Sequence, residues 1–369
     1  MIKISTVNID DTDIERVIGV IKSGHLVHGE MCQKFEAELC RYLSVEHAIL
    51  VSSGTAALHL SMLALGIGVG DAVLVPNFTF PATIHAVQLV GAEPILVDVD
   101  PTKYVITKET VERALRQYQG DNHIRAIMPV HEFGQAVNME HLADIASRFE
   151  LLIVEDAACA IGATFKDKPL GTFGEIGCFS FHPRKILTTG EGGLLVTNNS
   201  QLATRLKALK DHGLDRSNGA KFTEPGFNYR LTNIQAALGI GQIARIDQWI
   251  RKRRVLADEY RTHLASLVEA DYISLPSGSS GHSWQTFMIR LNQKFNRDQV
   301  IKRLKEVGVE SNIGAQCLFT LDYVNTDKNN DDLSTSIAIG QSGLALPLCE
   351  LYSIDIVIEV SRKLSKILY

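Results

Sequence analysis

The stretch LLIVEDAACAIGA, Leu151–Ala163, runs from an unbroken apolar segment into two carboxylates and then into small residues. A short continuous apolar run of this kind suits a strand buried on both faces, as in the interior of a parallel sheet. The pattern repeats on the N-terminal side. HAILVS from His47, AVLVP from Ala72, PILVDV from Pro94 and IRAIMPV from Ile124 are similar runs, separated by helical segments at Ala56–Leu65, Pro81–Val90 and Met139–Arg148. Strands alternating with helices predict crossover connections and a mostly parallel central sheet, so the fold class is α/β.

Two helices precede this alternation. Ile14, Val17, Ile18 and Ile21 follow capping residues near Asp10 to Thr12 and end by Gly24, and a second helix covers Met31–Tyr42. Beyond the alternation lie a helical region over Asn233–Val268, the loop LPSGSSGHS, a strand around Gln285–Arg290, and helices over Arg297–Val307 and Ser353–Leu368. The expected organisation is a large α/β domain over residues 1–245 and a smaller C-terminal α+β domain over 246–369.

At 369 residues and 45% hydrophobic, the chain is long enough for a sizeable core and about two domains. A net charge of −5 with mixed signs gives no basic surface for nucleic acid, and RKRR at Arg251–Arg254 reads as a solvated helix face. The N-terminus lacks the pattern of a secretory signal, and no apolar run reaches membrane-spanning length, so a cytoplasmic protein is expected. Cys32, Cys40, Cys159, Cys178, Cys317 and Cys349 are scattered without metal-ligand spacing and read as reduced thiols, with no metal site.

Three pieces at strand ends carry chemistry. In VSSGTAALHL, a strand ending at Val51 turns through Ser52, Ser53 and Gly54 into a helix near Thr55. Its free N–H groups suit a phosphate, although a ligand-free N-cap reads the same. Asp156 closes the apolar strand within LLIVEDAACAIGA, where a carboxylate faces the ligand crevice and can pair with a cationic ring nitrogen, or simply cap a helix. In FSFHPRKILTTGEGG, Phe179–Gly193, Lys185 stands between an aromatic strand and a glycine-rich turn, 29 residues after Asp156. Together a phosphate cradle, a strand-end aspartate and a later lysine are the parts that hold pyridoxal phosphate.

With VPNFTFPATIHAV, MPVHEFGQ, VEDAACAIGA and GFNYRLTNIQAALG added, the chain resembles the DegT/DnrJ/EryC1/StrS family of sugar aminotransferases over almost its whole length. The resemblance implies fold type I, pyridoxal 5'-phosphate as cofactor, and transfer of an amino group from an amino acid, L-glutamate, to a nucleotide-linked 4-keto-6-deoxyhexose. Lys185 would form the internal aldimine and move the proton, and Asp156 would sit on the pyridine nitrogen. Gly54, Thr55 and Ser180 match phosphate-binding positions, and Asn228 matches a residue that reaches the partner's cofactor in a homodimer. Phe80 matches an aromatic near the ring, or else a core residue. A neutral Lys185 is expected from a dry pocket with neighbouring cationic groups.

The chain also departs from the family. Cys159 stands where many relatives carry a glutamine near the cofactor, which puts the local hydrogen bonding in question. His182 replaces a common tyrosine and reads as packed, His131 as loop-stabilising and Glu191 as structural. Gln316, Cys317 and Phe319 replace the usual residues of a substrate-facing loop within Glu310–Asn325. A 3-keto-sugar aminotransferase, a pyridoxal phosphate sugar dehydratase and a regulatory homologue are the alternative readings.

Overall fold

Seven strands form the central sheet: β1 (His47–Val51), β2 (Asp71–Pro76), β3 (Glu93–Val97), β4 (His123–Ile127), β5 (Leu152–Asp156), β6 (Ile176–Ser180) and β7 (Gly193–Thr197). The computed structural model describes residues 1–324 and 330–369. The strands lie in the order β1-β7-β6-β5-β4-β2-β3. Six share one direction and β7 alone runs against both neighbours. Helices cover the faces, so Ala72 to Val75 of β2 are all fully buried, as expected of a strand with no solvent face. The sheet is that of fold type I.

The reversal of β7 matters locally. Gly193 pairs with Val51 of β1 on one side and with Ser180 of β6 on the other. The chain from Phe181 to Gly192, which carries Lys185, therefore begins and ends in fixed register at the end of the sheet where β1 also finishes.

The predicted helices form close to their expected bounds. Asp11–Ser23 has Asp10 as N-cap in a reciprocal capping box with Asp13, and stops at Gly24 in the left-handed region. Glu30–Leu43 follows. The helical region after Asn233 is three helices, Asn233–Ile243, Ile246–His263 and Ala265–Glu269. Its first break falls at Ala244 and Arg245, where the Arg245 guanidinium reaches back to Asp10 and Asp13.

A second, antiparallel sheet comprises β8 (Ile273–Ser274), β9 (Phe287–Leu291) and β10 (Gly343–Leu346). Tyr260 and Phe287 stack with ring centroids 4.8 Å apart in the core between it and the C-terminal helices. The N-terminus joins this part. The Ile2 N–H donates to Gly308 O at 2.8 Å, and Ile4 O accepts from the Leu348 N–H at 3.0 Å.

The RKRR reading requires correction. Arg253 is only 2% exposed. It pairs with Glu350 at 2.8 Å and donates to the carbonyls of Trp284, Gln285 and Leu348. Four acceptors compensate a charge that would otherwise be too costly to bury, and the residue fastens its helix to β9. No helix among the described residues is long and apolar enough to cross a membrane, and the six cysteines are unpaired.

Candidate active site

The carboxyl ends of β1, β2, β4, β5 and β6 open into one cavity of about 640 Å³, where loops from several strands converge. It gathers Gly54, Thr55, Phe80, Asp156, Cys159, Ser180 and Lys185. Of the site residues expected from sequence, Asn228 alone is not among its lining residues. It is exposed and bridges to Asp211.

At the end of β1, Ser53 caps the helix Gly54–Ala64 by accepting the Ala56 N–H at 3.0 Å. The first helical turn leaves N–H groups without intrahelical partners, and Gly54 and Thr55 present this turn to the cavity. The glycines here are required by close approach. A Cβ on Gly54 would lie 2.8 Å from the Ser180 Cβ, and one on Gly193 would lie 2.3 Å from Ser53 O. The turn, β6 and β7 are thereby pressed together, leaving a glycine-lined recess in the cavity wall.

Asp156 ends β5 and is 4% exposed. Its Oδ1 accepts the Ala158 N–H at 3.1 Å and its Oδ2 accepts the Thr83 hydroxyl at 2.8 Å. Burial raises the carboxyl above its usual range, and these two donors with Lys185 and His131 oppose the rise. Glu155 faces the other way. It takes the N–H groups of Gly171, Phe173 and Gly174 at 2.8, 2.6 and 2.8 Å and His131 Nε2 at 2.9 Å. His131 Nδ1 accepts the Val137 N–H at 3.3 Å, so the neutral tautomer with its proton on Nε2 satisfies both contacts. His131 is a loop-stabilising residue.

Lys185 is half-buried, with its amine donating to Cys159 Sγ at 3.0 Å. Its loop is tied down by Thr188 Oγ1 to Phe181 O at 2.8 Å, Thr189 Oγ1 to Glu191 O at 2.7 Å and Gln242 Nε2 to Thr188 O at 2.8 Å. Glu191 thus anchors the turn through its carbonyl. The expected cationic neighbours are replaced by acids. Burial acts to lower the Lys185 pKa, but Cys159, Glu132 and Asp156 outweigh it and hold it above the ordinary lysine value. Burial also pushes the Cys159 thiol up.

His182 Nδ1 accepts the Arg184 N–H at 3.2 Å, and burial lowers its pKa, as for a packed neutral histidine. Phe80 is not a core residue: it is 66% exposed on the cavity rim. Of the three substitutions in the substrate-facing segment, only Gln316 lines the cavity. Cys317 is buried and accepts from Asn77 Nδ2 at 3.4 Å, and the Phe319 N–H donates to Asn77 Oδ1 at 2.8 Å. Asn325 lies outside the described residues.

Sequence reading missed Glu132, Thr79, Thr83 and the N-terminal Ile4 and Ser5. Glu132 had a signal: in PVHEFGQ a carboxylate follows an apolar run closely, the placement that singled out Asp156. Ile4 and Ser5 had none, because their place in the cavity wall depends on pairing with chain more than three hundred residues away.

These residues fit pyridoxal phosphate. A Cβ at Gly54 would collide with Ser180, an acid lies buried at a strand end, and the Lys185 amine lines the same cavity. A family model, the DegT/DnrJ/EryC1/StrS aminotransferase family, matches residues 7–365. The chain is 38% identical over 325 residues to the GDP-perosamine synthase of Caulobacter vibrioides, covering 86% of this chain and 85% of that protein. It is 34% identical over 328 residues to the UDP-4-amino-4-deoxy-L-arabinose–oxoglutarate aminotransferase of Shewanella sediminis, covering 85% and 83%. The crystal structure of NtdA from Bacillus subtilis with bound cofactor PMP superposes with a TM-score of 0.83 at 30% identity, covering 97% of this chain and 83% of that one. The match spans nearly the whole chain, and the chain belongs to the DegT/DnrJ/EryC1/StrS family of pyridoxal phosphate-dependent aminotransferases.

Proposed function

We propose that this aminotransferase moves an amino group from L-glutamate to the C4 keto group of a nucleotide-linked 6-deoxyhexose. The observation that carries the reading is the Lys185 amine held in one cavity with buried Asp156 and the glycine-lined recess. The relatives support the substrate class: one is named for a UDP-linked 4-amino sugar and oxoglutarate, and another for a GDP-linked sugar. The division of the chain at residue 245 fits this reading, with the larger part supplying the cofactor contacts and residues 312–316 of the smaller part facing substrate.

When bound, pyridoxal phosphate supplies an electron sink for the carbon that loses its proton. The Gly54–Thr55 turn and Ser180 would hold its phosphate, and Asp156 would keep the ring nitrogen protonated by supplying a negative charge. Phe80, on the cavity rim, would flank the bound group. Lys185 Nζ is the base that would take the proton from the donor's α-carbon and, in the second half-reaction, return one to the sugar carbon that receives nitrogen. Asn228, exposed and outside its own cavity, reaches the phosphate site of the other subunit in a homodimer working in the cytoplasm.

The test is a visible absorption spectrum of the protein loaded with pyridoxal phosphate, taken before and after glutamate and then with a panel of nucleotide-linked 4-keto and 3-keto sugars. A spectrum changed by glutamate and restored by a 4-keto sugar is expected. Restoration by a 3-keto sugar alone would move the assignment to that position, and a spectrum indifferent to every amino donor would sink it.

A further inference from the structure

Asn77 follows directly on β2 and is fully buried. Its amide reaches across to the smaller part of the chain. Oδ1 accepts the Phe319 N–H at 2.8 Å, and Nδ2 donates to Ser336 Oγ at 2.7 Å and to Cys317 Sγ at 3.4 Å. The Asn77 backbone adds a further bond, its carbonyl accepting the Leu318 N–H at 2.8 Å. Because the Phe319 N–H can only donate, the amide oxygen must face it, and both amide protons are then committed. Ser336 is itself fixed: its Oγ gives its proton to Leu333 O at 2.9 Å, and its N–H donates to buried Asp98 at 2.7 Å.

One residue thus grips Cys317, Leu318 and Phe319 in turn. Beside them, Gln316 and Cys317 pair with Thr79 and Phe78 in an antiparallel ladder of two rungs. Side chains alternate between faces along a strand, and cross-strand partners share a face. Gln316 and Thr79 line the cavity, whereas Cys317 and Phe78 are buried behind it. A slip of one residue would turn Gln316 away from the cavity and Cys317 toward it. So short a ladder is marginal by itself, and the Asn77 amide supplies the hold that it lacks.

Gln316 is half-buried, and its side-chain amide has no hydrogen-bond partner among the described residues. An uncharged amide with a free donor and a free acceptor matches hydroxyl groups better than carboxylates. A keto-hexose offers hydroxyls on its other ring carbons, and L-glutamate has none. Resting on the function proposed above, we infer that Asn77 is a positioning residue that locks the register of Gln316, and that Gln316 sets which acceptor sugar is taken by meeting its ring hydroxyls.

Two measurements test this on the full chain, with Asn77→Leu, Ser336→Ala, Gln316→Ala and the double variant Asn77→Leu/Gln316→Ala. The first uses brief iodoacetamide treatment without added cofactor, read by peptide mass spectrometry. Asn77→Leu should label Cys317 about tenfold faster than the parent or more, because the ladder opens locally. Cys178 and Cys349, buried elsewhere, should keep the parent's rates. Ser336→Ala removes one partner of the amide and should raise Cys317 labelling by roughly threefold, which decides the matter if Asn77→Leu does not fold. The second measurement separates the half-reactions in the cofactor-loaded protein, using the nucleotide-linked keto sugar that restores its spectrum. Asn77→Leu and Gln316→Ala should each raise the KM for that sugar by about tenfold while the rate with glutamate stays within about twofold, and the double variant should go no further than Gln316→Ala alone.

Cys317 labelled at the parent's rate, or all three cysteines labelled faster together, would overturn the register lock. A glutamate half-reaction slowed as much as the sugar's would overturn the role in choosing the acceptor. The labelling needs neither cofactor nor sugar, so it decides the register even if the proposed function fails.

Discussion

The Lys185 amine lies 3.0 Å from the Cys159 sulfur, and that is the sole side-chain hydrogen bond described for this amine. Removing the amine should therefore leave the fold intact while ending the chemistry. Lys185→Ala is expected to lower turnover by at least about a thousandfold, with a melting temperature close to the parent's. Cofactor loading should in turn slow Cys159 alkylation by about tenfold or more, since access to the thiol runs through the same cavity. Peptide mass spectrometry after brief iodoacetamide treatment reads this out, and equal labelling with and without cofactor would remove Cys159 from the binding site.

Gly193→Ala tests the pressed contact between three strand ends. The added Cβ would meet Ser53 O at 2.3 Å and Gly54 N at 2.8 Å. Both are backbone atoms that cannot rotate away. Stability should fall by about 1–3 kcal/mol, and cofactor affinity should fall with it because the displaced atoms form the recess. Urea denaturation and equilibrium dialysis measure the two; a stable variant that binds the cofactor as the parent does would contradict the account.

Glu155 gives a pH-dependent stability. Burial alone would raise its pKa, but His131 and the Gly174 and Gly171 N–H groups outweigh burial and hold it below the ordinary glutamate value. A carboxyl whose folded pKa is depressed stabilises the protein above the unfolded value, and that contribution disappears as pH falls through the folded value. Glu155→Gln should cost about 2–4 kcal/mol at neutral pH. Its stability should also fall less steeply than the parent's below about pH 4.5. Urea midpoints over a pH series would show this, and parallel curves for the two proteins would refute it.

Asn228→Ala tests the proposed sharing of the site between two subunits. Asn228 is exposed and absent from its own cavity wall, so its loss should leave folding unchanged and weaken cofactor retention by about tenfold, the worth of one charge-assisted hydrogen bond. Cofactor occupancy after gel filtration is the readout. Occupancy equal to the parent's would withdraw the support for an active site built from two subunits.

The α/β alternation was readable because buried parallel strands are apolar on both faces, and each stands out as a short run between amphipathic helices. The lysine, the aspartate and the glycine turn were readable for a related reason: strand ends in such sheets collect the chemistry. What escaped was set by tertiary contact. Arg253 sits in a helix whose composition reads as solvated, and only the carbonyls of Trp284, Gln285 and Leu348 explain its burial. The charge around Lys185 was misjudged for the same reason, since Glu132 and Cys159 reach it from different strands. The break at Arg245 likewise depends on Asp10 and Asp13, over two hundred residues away.

Gly193 stands in register with Val51 and Ser180, so both ends of the loop that carries Lys185 are fixed by the ladder of one sheet. The wall formed by residues 312–316 belongs to a different part of the chain and shares none of that ladder. On the proposed function, the lysine and the substrate-facing wall thus rest on different sheets, and the wall meets the large part through the pairing of Gln316 with Thr79. Changes confined to that wall would leave the register on either side of the lysine loop as it is.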